Sequence, residues 1–598
     1  MAVKVAAPSL SDPQSSFPVI HPRHLFRPAI ALAAAASLAL SGCASTAPAS
    51  APDAAQAANP PAQGQVMVAA ANPLAVDAGL EVLRAGGSAV DAAVAVQAVL
   101  GLVEPQSSGL GGGAFLVHYD AETGQVTAYN GRETAPAAAT PELFLNADGK
   151  PRPFFEILLS GRSTGVPGVV AMLHMAQADH GRLAWKDLFG SAERLADEGF
   201  IVSPRLAEMI VGRAPQAKAP DAVAYFTKAD GAPYAAGDRL KNPAYAATVR
   251  KIAAEGPDAL LKGELAQAIV ARVAEGELPG VMTLADLAAY RPQKSEALCR
   301  PYRIYVVCVP PAPSGGPAVL QGLGILERTD IASYGPGQAQ GWYLFSQASR
   351  LMYADRDRYM GDPDFVDVPT EGLLAKDYLD ARAALIGPVA GPAPQPGTPE
   401  GAGVRAPDTT REVSGTSHFV VVDAAGDVVS MTTTVESLFG SGRMVGGFFL
   451  NNQLTDFGFA PENTDGTPAA NALAGGKRPR SSMAPAVVLD QDGDFLAAVG
   501  SPGGTSILAY NLKALVGVLD WRLSMAEAVA LPNLISRGDR YSAEASKFAP
   551  EVIAGLTELG VTFTSVGGEG SGLHGVMVTP QGLQGGADPR REGVARGF

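Results

Sequence analysis

No stretch of this chain restricts its fold more than the one from Gly415 to Thr434: Gly415 leads into Thr-Ser-His-Phe-Val-Val-Val-Asp, then Ala424-Ala425-Gly426, then Asp427 to Thr434. Beta-branched and aromatic residues dominate both arms, and a three-residue loop with glycine third is a standard hairpin connection. Pairing Asp423 with Asp427 and counting outward places Thr416 directly opposite Thr434. Cross-strand beta carbons lie about 5 Å apart, so the two hydroxyls share one face within hydrogen-bonding reach. Both faces carry apolar side chains, Phe419 and Val421 on one and Val420 and Val422 on the other. Such a sheet must be covered on both sides, which predicts an α/β fold with helix layers outside two stacked sheets.

The same stretch suggests chemistry. A threonine hydroxyl inside a chain is a weak nucleophile, but at a free chain start its own α-amine serves as general base. Cleavage between Gly415 and Thr416 would create that arrangement, and Gly415, lacking a β-carbon, tolerates the backbone strain of such a step. Taken alone, a threonine in a strand is a structural residue. A second predicted hairpin adds context: Ser481-Ser482-Met483 leads to Val487–Leu489, then Asp492-Gly493, then Phe495–Val499 and Gly500-Ser501-Pro502-Gly503-Gly504. With Asp492-Gly493 as a two-residue turn, Ser482 pairs with Gly503 and Ser481 with Gly504. Adjacent Gly503 and Gly504 can present backbone N–H groups to a developing oxyanion.

Elsewhere, Pro73–Arg84 has helical apolar spacing and ends at Gly86-Gly87, and Ser88 caps a second apolar helix with Asp91 at its third position. Gly109-Leu110-Gly111-Gly112-Gly113 precedes a strand, Phe115–Tyr119, rather than opening a helix, so it marks close backbone packing and not a phosphate cradle. A turn at Glu122-Thr123-Gly124 and a return strand deliver Arg132 to a strand end. Residues 182–291 read as mainly helical. Cys299 and Cys308 flank Tyr302–Val307, an alternating segment predicted as one strand with the cysteines at opposite ends. Free buried thiols are the expectation, with a disulfide left open for an oxidising compartment. From Gly387 to Gly415 the composition turns to Pro, Gly, Ala and charged residues without periodicity, which predicts an exposed, mobile segment.

The chain of 598 residues is 47% hydrophobic and 17% charged, enough to bury a large core, and its net charge of −14 opposes nucleic-acid binding. No Gly-Lys-Ser/Thr loop, His-Glu-x-x-His or Cys-x-x-Cys is present, so nothing calls for a metal or other cofactor. Arg23, His24 and Arg27 precede an apolar run, Ala29 to Leu40, that ends in Leu40-Ser41-Gly42-Cys43. That pattern predicts an export signal over residues 1–42, and the last four residues resemble the bacterial lipoprotein box, with Cys43 as the lipidated new first residue. Residues 43–65, rich in Ala, Pro, Gln and Ser, then form a flexible tether on the periplasmic side of a bacterial envelope.

Several spaced motifs together resemble the gamma-glutamyltranspeptidase family from Val66 to the C-terminus: AGGSAVDAAVA from Ala85, GLGGGAF from Gly109, GRETAPAAAT from Gly131, PPAPSGG from Pro310, YADRDRYMGDPDFVDVP from Tyr353, GTSHFVVVD from Gly415, LNNQLTDF from Leu450, KRPRSSM from Lys477 and GSPGG from Gly500. The resemblance implies an N-terminal-nucleophile hydrolase fold, a four-layer αββα sandwich. It also implies a heterodimer made by self-cleavage of one precursor into a large subunit, 66–415, and a small catalytic subunit, 416–598. Carried over position by position, Thr416 is nucleophile and new N-terminus, Thr434 its hydroxyl partner, and Gly503 and Gly504 the oxyanion hole. Arg132, Ser481 and Ser482 hold a substrate α-carboxylate, and Asp456, with Gln453 and Glu436 beside it, holds the α-ammonium. His418 is structural, because the amine is the base.

The implied substrate is a gamma-glutamyl compound, glutathione foremost, with water or an amino acid or peptide as acyl acceptor. Two departures stand out: Glu436 occupies a position where many members have asparagine, and residues 460–476 lack the tyrosine that closes the lid in some members. A weaker lid favours hydrolysis over transfer. The rival readings are a glutaryl-cephalosporin-type acylase, a poly-gamma-glutamate hydrolase and, in a different class, an uncut non-catalytic envelope lipoprotein. An α-ammonium partner at Asp456 argues against the glutaryl substrate, since a buried carboxylate left unpaired disfavours a ligand lacking that cation.

Overall fold

The computed structural model describes residues 65–408, 410, 412–460, 462, 465–565 and 570–598. The export signal, Cys43 and the tether up to residue 64 lie outside the described residues. A seven-stranded antiparallel sheet runs in the order Val594–Gly597, Met67–Ala70, Thr416–Val422, Val428–Thr434, Gly113–Tyr119, Val126–Asn130, Gln293–Glu296. A six-stranded antiparallel sheet follows the order Gly582–Ala587, His574–Thr579, Phe495–Gly500, Ala486–Leu489, Tyr305–Val309, Leu298–Tyr302.

Alternation along the strands decides which layer each side chain enters. Val420, Val422, Val428 and Val117 of the first sheet meet Val487, Leu489, Ala498 and Val576 of the second in one buried cluster. On the outer face of the first sheet, Phe419, Val421, Val429 and Met431 pack against the helices Pro73–Arg84 and Ala89–Val103. Beyond the second sheet, Val307, Val488 and Val499 pack against Gly316–Glu327, Ala339–Tyr359 and Ile507–Leu519. The layers are therefore helix, sheet, sheet, helix, as the two-faced apolar strands require. The first helix covers the residues expected, and Ser88 and Asp91 form the reciprocal cap of the second.

Both hairpins depend on an aspartate. Asp423 pairs its backbone with Asp427 and turns its carboxylate onto the N–H groups of Ala425 and Asp427, with Gly426 at φ 90°. Thr416 lies opposite Thr434, the register expected. The second hairpin uses the same device, not a two-residue turn: Asp490 pairs with Asp494 around Gln491-Asp492-Gly493, and Gly493 has φ 87°. A bulge between Val488 and Leu489 then restores the expected pairing of Ala486 with Val499. The ladder ends at Ala486 and Gly500, so Ser481 and Ser482 are not strand partners of Gly504 and Gly503.

Two further expectations are corrected. The segment between the cysteines is a hairpin, Leu298–Tyr302 and Tyr305–Val309, rather than one strand. Arg303 makes the turn at φ 56°, its N–H bound to Glu327 Oε1 at 2.7 Å. Folding back brings Cys299 opposite Cys308, and the two form a disulfide. The segment before Thr416 is not exposed throughout: Asp408 and Glu412 are buried, because buried arginines pair with both.

His418 and His574, on facing strands of the two sheets, are fully buried. Burial lowers His574 to about 4 and takes His418 well below its ordinary 6.5. Between about pH 6.5 and 4 the unfolded chain therefore binds more protons than the folded one, and stability falls as pH falls. Urea unfolding at pH 7.5 and 4.5 should show a large loss of stability in the wild type and a smaller one in His574→Asn.

Candidate active site

Thr416 opens its strand and Thr434 closes the next, so the hairpin register sets their oxygens 3.1 Å apart. Thr434 Oγ1 also lies 2.9 Å from the Gly415 carbonyl oxygen, to which it donates, and accepts the Glu436 N–H at 2.8 Å. One hydroxyl proton cannot serve two acceptors, so the Thr416 O–H donates to Thr434 and the Thr434 O–H to Gly415. This chain of bonds raises electron density on the Thr416 oxygen and polarises the carbonyl immediately before it. Such an arrangement can support attack of that oxygen on the Gly415 carbonyl carbon. Gly415 is obligatory here: a β-carbon would lie 2.2 Å from the Ser437 carbonyl carbon.

A small cavity beside Thr416 is lined by Arg132, Thr434, Glu436, Gln453, Asp456, Ser481, Ser482 and Gly504, together with Glu412, Val413, Met483 and Ile507. All ten residues singled out in the sequence for catalysis or substrate binding are thus in one place except Gly503, which sits one residue back against the Tyr510 ring. Gly503 and Gly504 have φ of 137° and 56°, conformations open to glycine. They lead into the N-terminal end of the helix Ile507–Leu519, whose dipole favours negative charge nearby.

At the other wall Arg132 Nη2 donates to Asp456 Oδ2 at 2.5 Å, and Gln453 Nε2 donates to the same oxygen at 2.6 Å. Glu436 takes a left-handed backbone, φ 80°, unusual for a side chain with a β-carbon. Its carboxyl accepts from Ser437 Oγ at 2.6 Å, Asn452 Nδ2 at 2.5 Å and the Val413 N–H at 3.2 Å. Burial, and then the neighbouring Asp456, push Glu436 well above the usual carboxylate range; burial also raises Asp456 against the pull of Arg132. Arg132 pairs with Asp456, whereas Glu436 has neutral donors and no ion pair among the described residues, so an ammonium group placed between the two carboxyls would favour their charged forms. Burial likewise raises Glu133, next to Arg132, to about 8.

Ser481 Oγ accepts the Met483 N–H at 3.1 Å, and Ser482 Oγ accepts from Arg356 Nη2 at 2.8 Å. His418 Nδ1 bonds Thr432 Oγ1 at 2.9 Å, away from the Thr416 hydroxyl's own partner. Among the described residues no group of three His, Cys, Asp or Glu side chains is placed to hold a metal ion. Sequence reasoning missed Glu412, Val413, Arg356 and Arg480. Arg356 and Arg480 stand inside quoted motifs, but nothing in a linear motif tells a buried cation from a surface one.

Residues 75–598 match the gamma-glutamyltranspeptidase family. The chain belongs to that family. Among its relatives, the glutathione hydrolase proenzyme of Bacillus subtilis is 35% identical over 89% of this chain and 91% of its own. That of Escherichia coli is 36% identical over 88% and 90%. The crystal structure of a cephalosporin acylase from Bacillus halodurans superposes with a TM-score of 0.80 at 26% identity, covering 92% of this chain and 99% of that one. As a gamma-glutamyltranspeptidase-family enzyme of N-terminal-nucleophile architecture, the chain places its threonine pair where two facing sheets end. Thr434→Val keeps the side-chain shape and deletes the hydroxyl relay. Appearance of fragments split before Thr416, followed on denaturing gels, should slow by about tenfold or more, a change of at least ~1.4 kcal/mol. Thr434→Ser should restore it.

Proposed function

We propose that the chain is a precursor that cuts itself between Gly415 and Thr416, yielding a large subunit, 66–415, and a small catalytic subunit, 416–598. The observation that carries this reading is the hydroxyl chain from Thr416 through Thr434 to the Gly415 carbonyl. After the cut the free α-amine of Thr416 takes the proton from its own hydroxyl as the oxygen attacks a substrate amide carbonyl. The Gly503 and Gly504 N–H groups stabilise the oxyanion. The amine takes over the proton and leaves, an ester remains on Thr416, and water or an amino acid or peptide removes the acyl group.

The acyl group proposed is gamma-glutamyl, with glutathione as the natural example. Its α-carboxylate meets Ser481, Ser482 and Arg132, and its α-ammonium meets Asp456, Gln453 and Glu436. Opposite charges at the two ends of one small group fix its carbonyl against Thr416. The names of the relatives pull in two directions, glutathione hydrolases and gamma-glutamyltranspeptidases on one side and acylases on the other, and both kinds occur among the sequence relatives and the solved structures. The Glu436–Asp456 pair favours the former, because a glutaryl amide has no ammonium to balance it. A polymer of gamma-linked glutamate is a second substrate with the same chain-end charges. Export by residues 1–42 and lipid attachment at Cys43 place the enzyme on the periplasmic side of a bacterial envelope. No described helix is long and apolar enough to cross a membrane.

Purified protein should run as two fragments, the smaller with Thr416 as its first residue, and Thr416→Ala should stay whole; an intact wild-type chain would instead support the non-catalytic envelope role. Gamma-glutamyl-p-nitroanilide should be turned over faster than glutaryl-p-nitroanilide, and Asp456→Asn should raise its KM about tenfold or more through loss of a charged hydrogen bond. Faster glutaryl turnover would move the assignment to the acylases. Adding a dipeptide acceptor should change the product ratio little if hydrolysis dominates.

A further inference from the structure

The residues just before the cut fill the site they serve. Glu412 and Val413 line the cavity, and what remains beside Thr416 is about 20 Å³, room for about one water molecule. A β-carbon on Gly504 would lie 2.4 Å from the Glu412 carbonyl oxygen, so the segment also covers the proposed oxyanion hole. Its backbone bonds are long: Glu412 N–H to Thr505 Oγ1, Thr505 N–H to Glu412 O and Val413 N–H to Glu436 Oε1, each 3.2 Å.

Charge holds it more firmly. The Glu412 carboxylate pairs with Arg356 and lies 3.5 Å from Arg480 Nε. Although burial alone would raise Glu412, Arg356 and Arg480 hold it down at about 2. Arg356 keeps a second carboxylate, Asp357, at 3.2 Å, and donates to Ser482 Oγ. Arg480 differs. Its side chain is fully buried, and its ion pairs among the described residues are to Glu412 and to Asp408 at 3.4 Å, both within eight residues upstream of Thr416. Its Nε and Nη2 make no hydrogen bond among the described residues. Across the cavity Arg132, the other proposed carboxylate partner, keeps its pairing with Asp456, which lies outside the upstream segment. Withdrawal of the whole stretch from Asp408 onward would therefore leave Arg480, beside Ser481 and Ser482, as the buried cation without a carboxylate.

We propose that Arg480, backed by Arg356 and Ser482, is a carboxylate site that Glu412 occupies in the uncut chain and that passes to the α-carboxylate of the gamma-glutamyl group after the cut. The inference rests on the gamma-glutamyl reading above and adds to it a specificity-determining residue and an internal stand-in for the substrate. Glu412 keeps two buried guanidiniums compensated while the scissile bond is positioned; the substrate then supplies the same charge in its place. Turnover thereby requires departure of the segment.

The test uses fully cut enzyme and two anilides that differ only in the α-carboxylate, gamma-glutamyl-p-nitroanilide and 4-aminobutyryl-p-nitroanilide. Arg480→Gln should raise KM for the first by about tenfold or more, as expected for loss of a charge-assisted contact, and leave kcat/KM for the second unchanged. Arg480→Lys, which keeps the charge without the planar fork, should give a smaller rise and supplies the measurement if the glutamine variant is not cut. Glu412→Gln should slow fragment appearance, while its cut form shows the wild-type KM. Equal losses on both anilides, an unaltered KM in both Arg480 variants, or a changed KM in cut Glu412→Gln would overturn the proposal. A wild-type enzyme inert toward gamma-glutamyl-p-nitroanilide would instead refute the underlying substrate reading.

Discussion

The pairing of two adjacent strands, Thr416–Val422 with Val428–Thr434, carries most of what this molecule can do. Side chains alternate between faces with a period of two, so a slip of one residue would turn the Thr416 hydroxyl away from Thr434 and push Val420 and Val422 out of the layer between the sheets. Asp423 prevents the slip. Its carboxylate holds the loop N–H groups, its backbone closes the turn, and its other oxygen accepts the N–H of Ala89 at the start of the second helix at 3.0 Å. One short side chain thereby fixes a register, anchors a helix to the sheet and sets a 3.1 Å contact at the far end of the hairpin.

Around that contact the site is organised by buried charge. Buried ions are tolerated only when paired, and the pairs fall into two groups. Arg132 serves Asp456 beside Glu436, and Arg356 and Arg480 serve Glu412 and Asp408. In the first group Glu436 has no ion pair among the described residues, and burial beside Asp456 pushes it well above the usual carboxylate range. The second is balanced by residues that belong to the segment ahead of the reactive threonine. Asp456 and Glu436 of the first group and Glu412 of the second line one cavity, which is the physical basis for proposing a ligand with an ammonium and a carboxylate a few bonds apart.

Much of this was legible from residues alone where local rules dominate. The Asp423–Asp427 turn, the helix Pro73–Arg84 and the Ser88–Asp91 cap follow from short-range hydrogen bonding and periodicity, and they appear where expected. The second hairpin was read with the wrong turn, because Asp492-Gly493 satisfies a two-residue loop as readily as the three-residue loop that Asp490 organises. Its strand register survived only because a bulge compensates. The cysteine segment misled for a related reason. An alternating run gives no sign of reversing at Arg303, whose positive φ is held by Glu327 and Asp520, residues distant in the chain.

What the order of residues determined by itself was the layered α/β class, the family, and the pairing of Thr416 with Thr434, since each depends on neighbours a few positions apart or on motifs read along the line. Tertiary structure alone decided the joining of Cys299 to Cys308, the burial of Asp408 and Glu412, and the gathering of Arg356 and Arg480 around them. Composition marked residues 387–415 as loose and polar. A carboxylate sits in the interior only if cations from remote elements are already there to meet it, and that condition is a property of the folded whole.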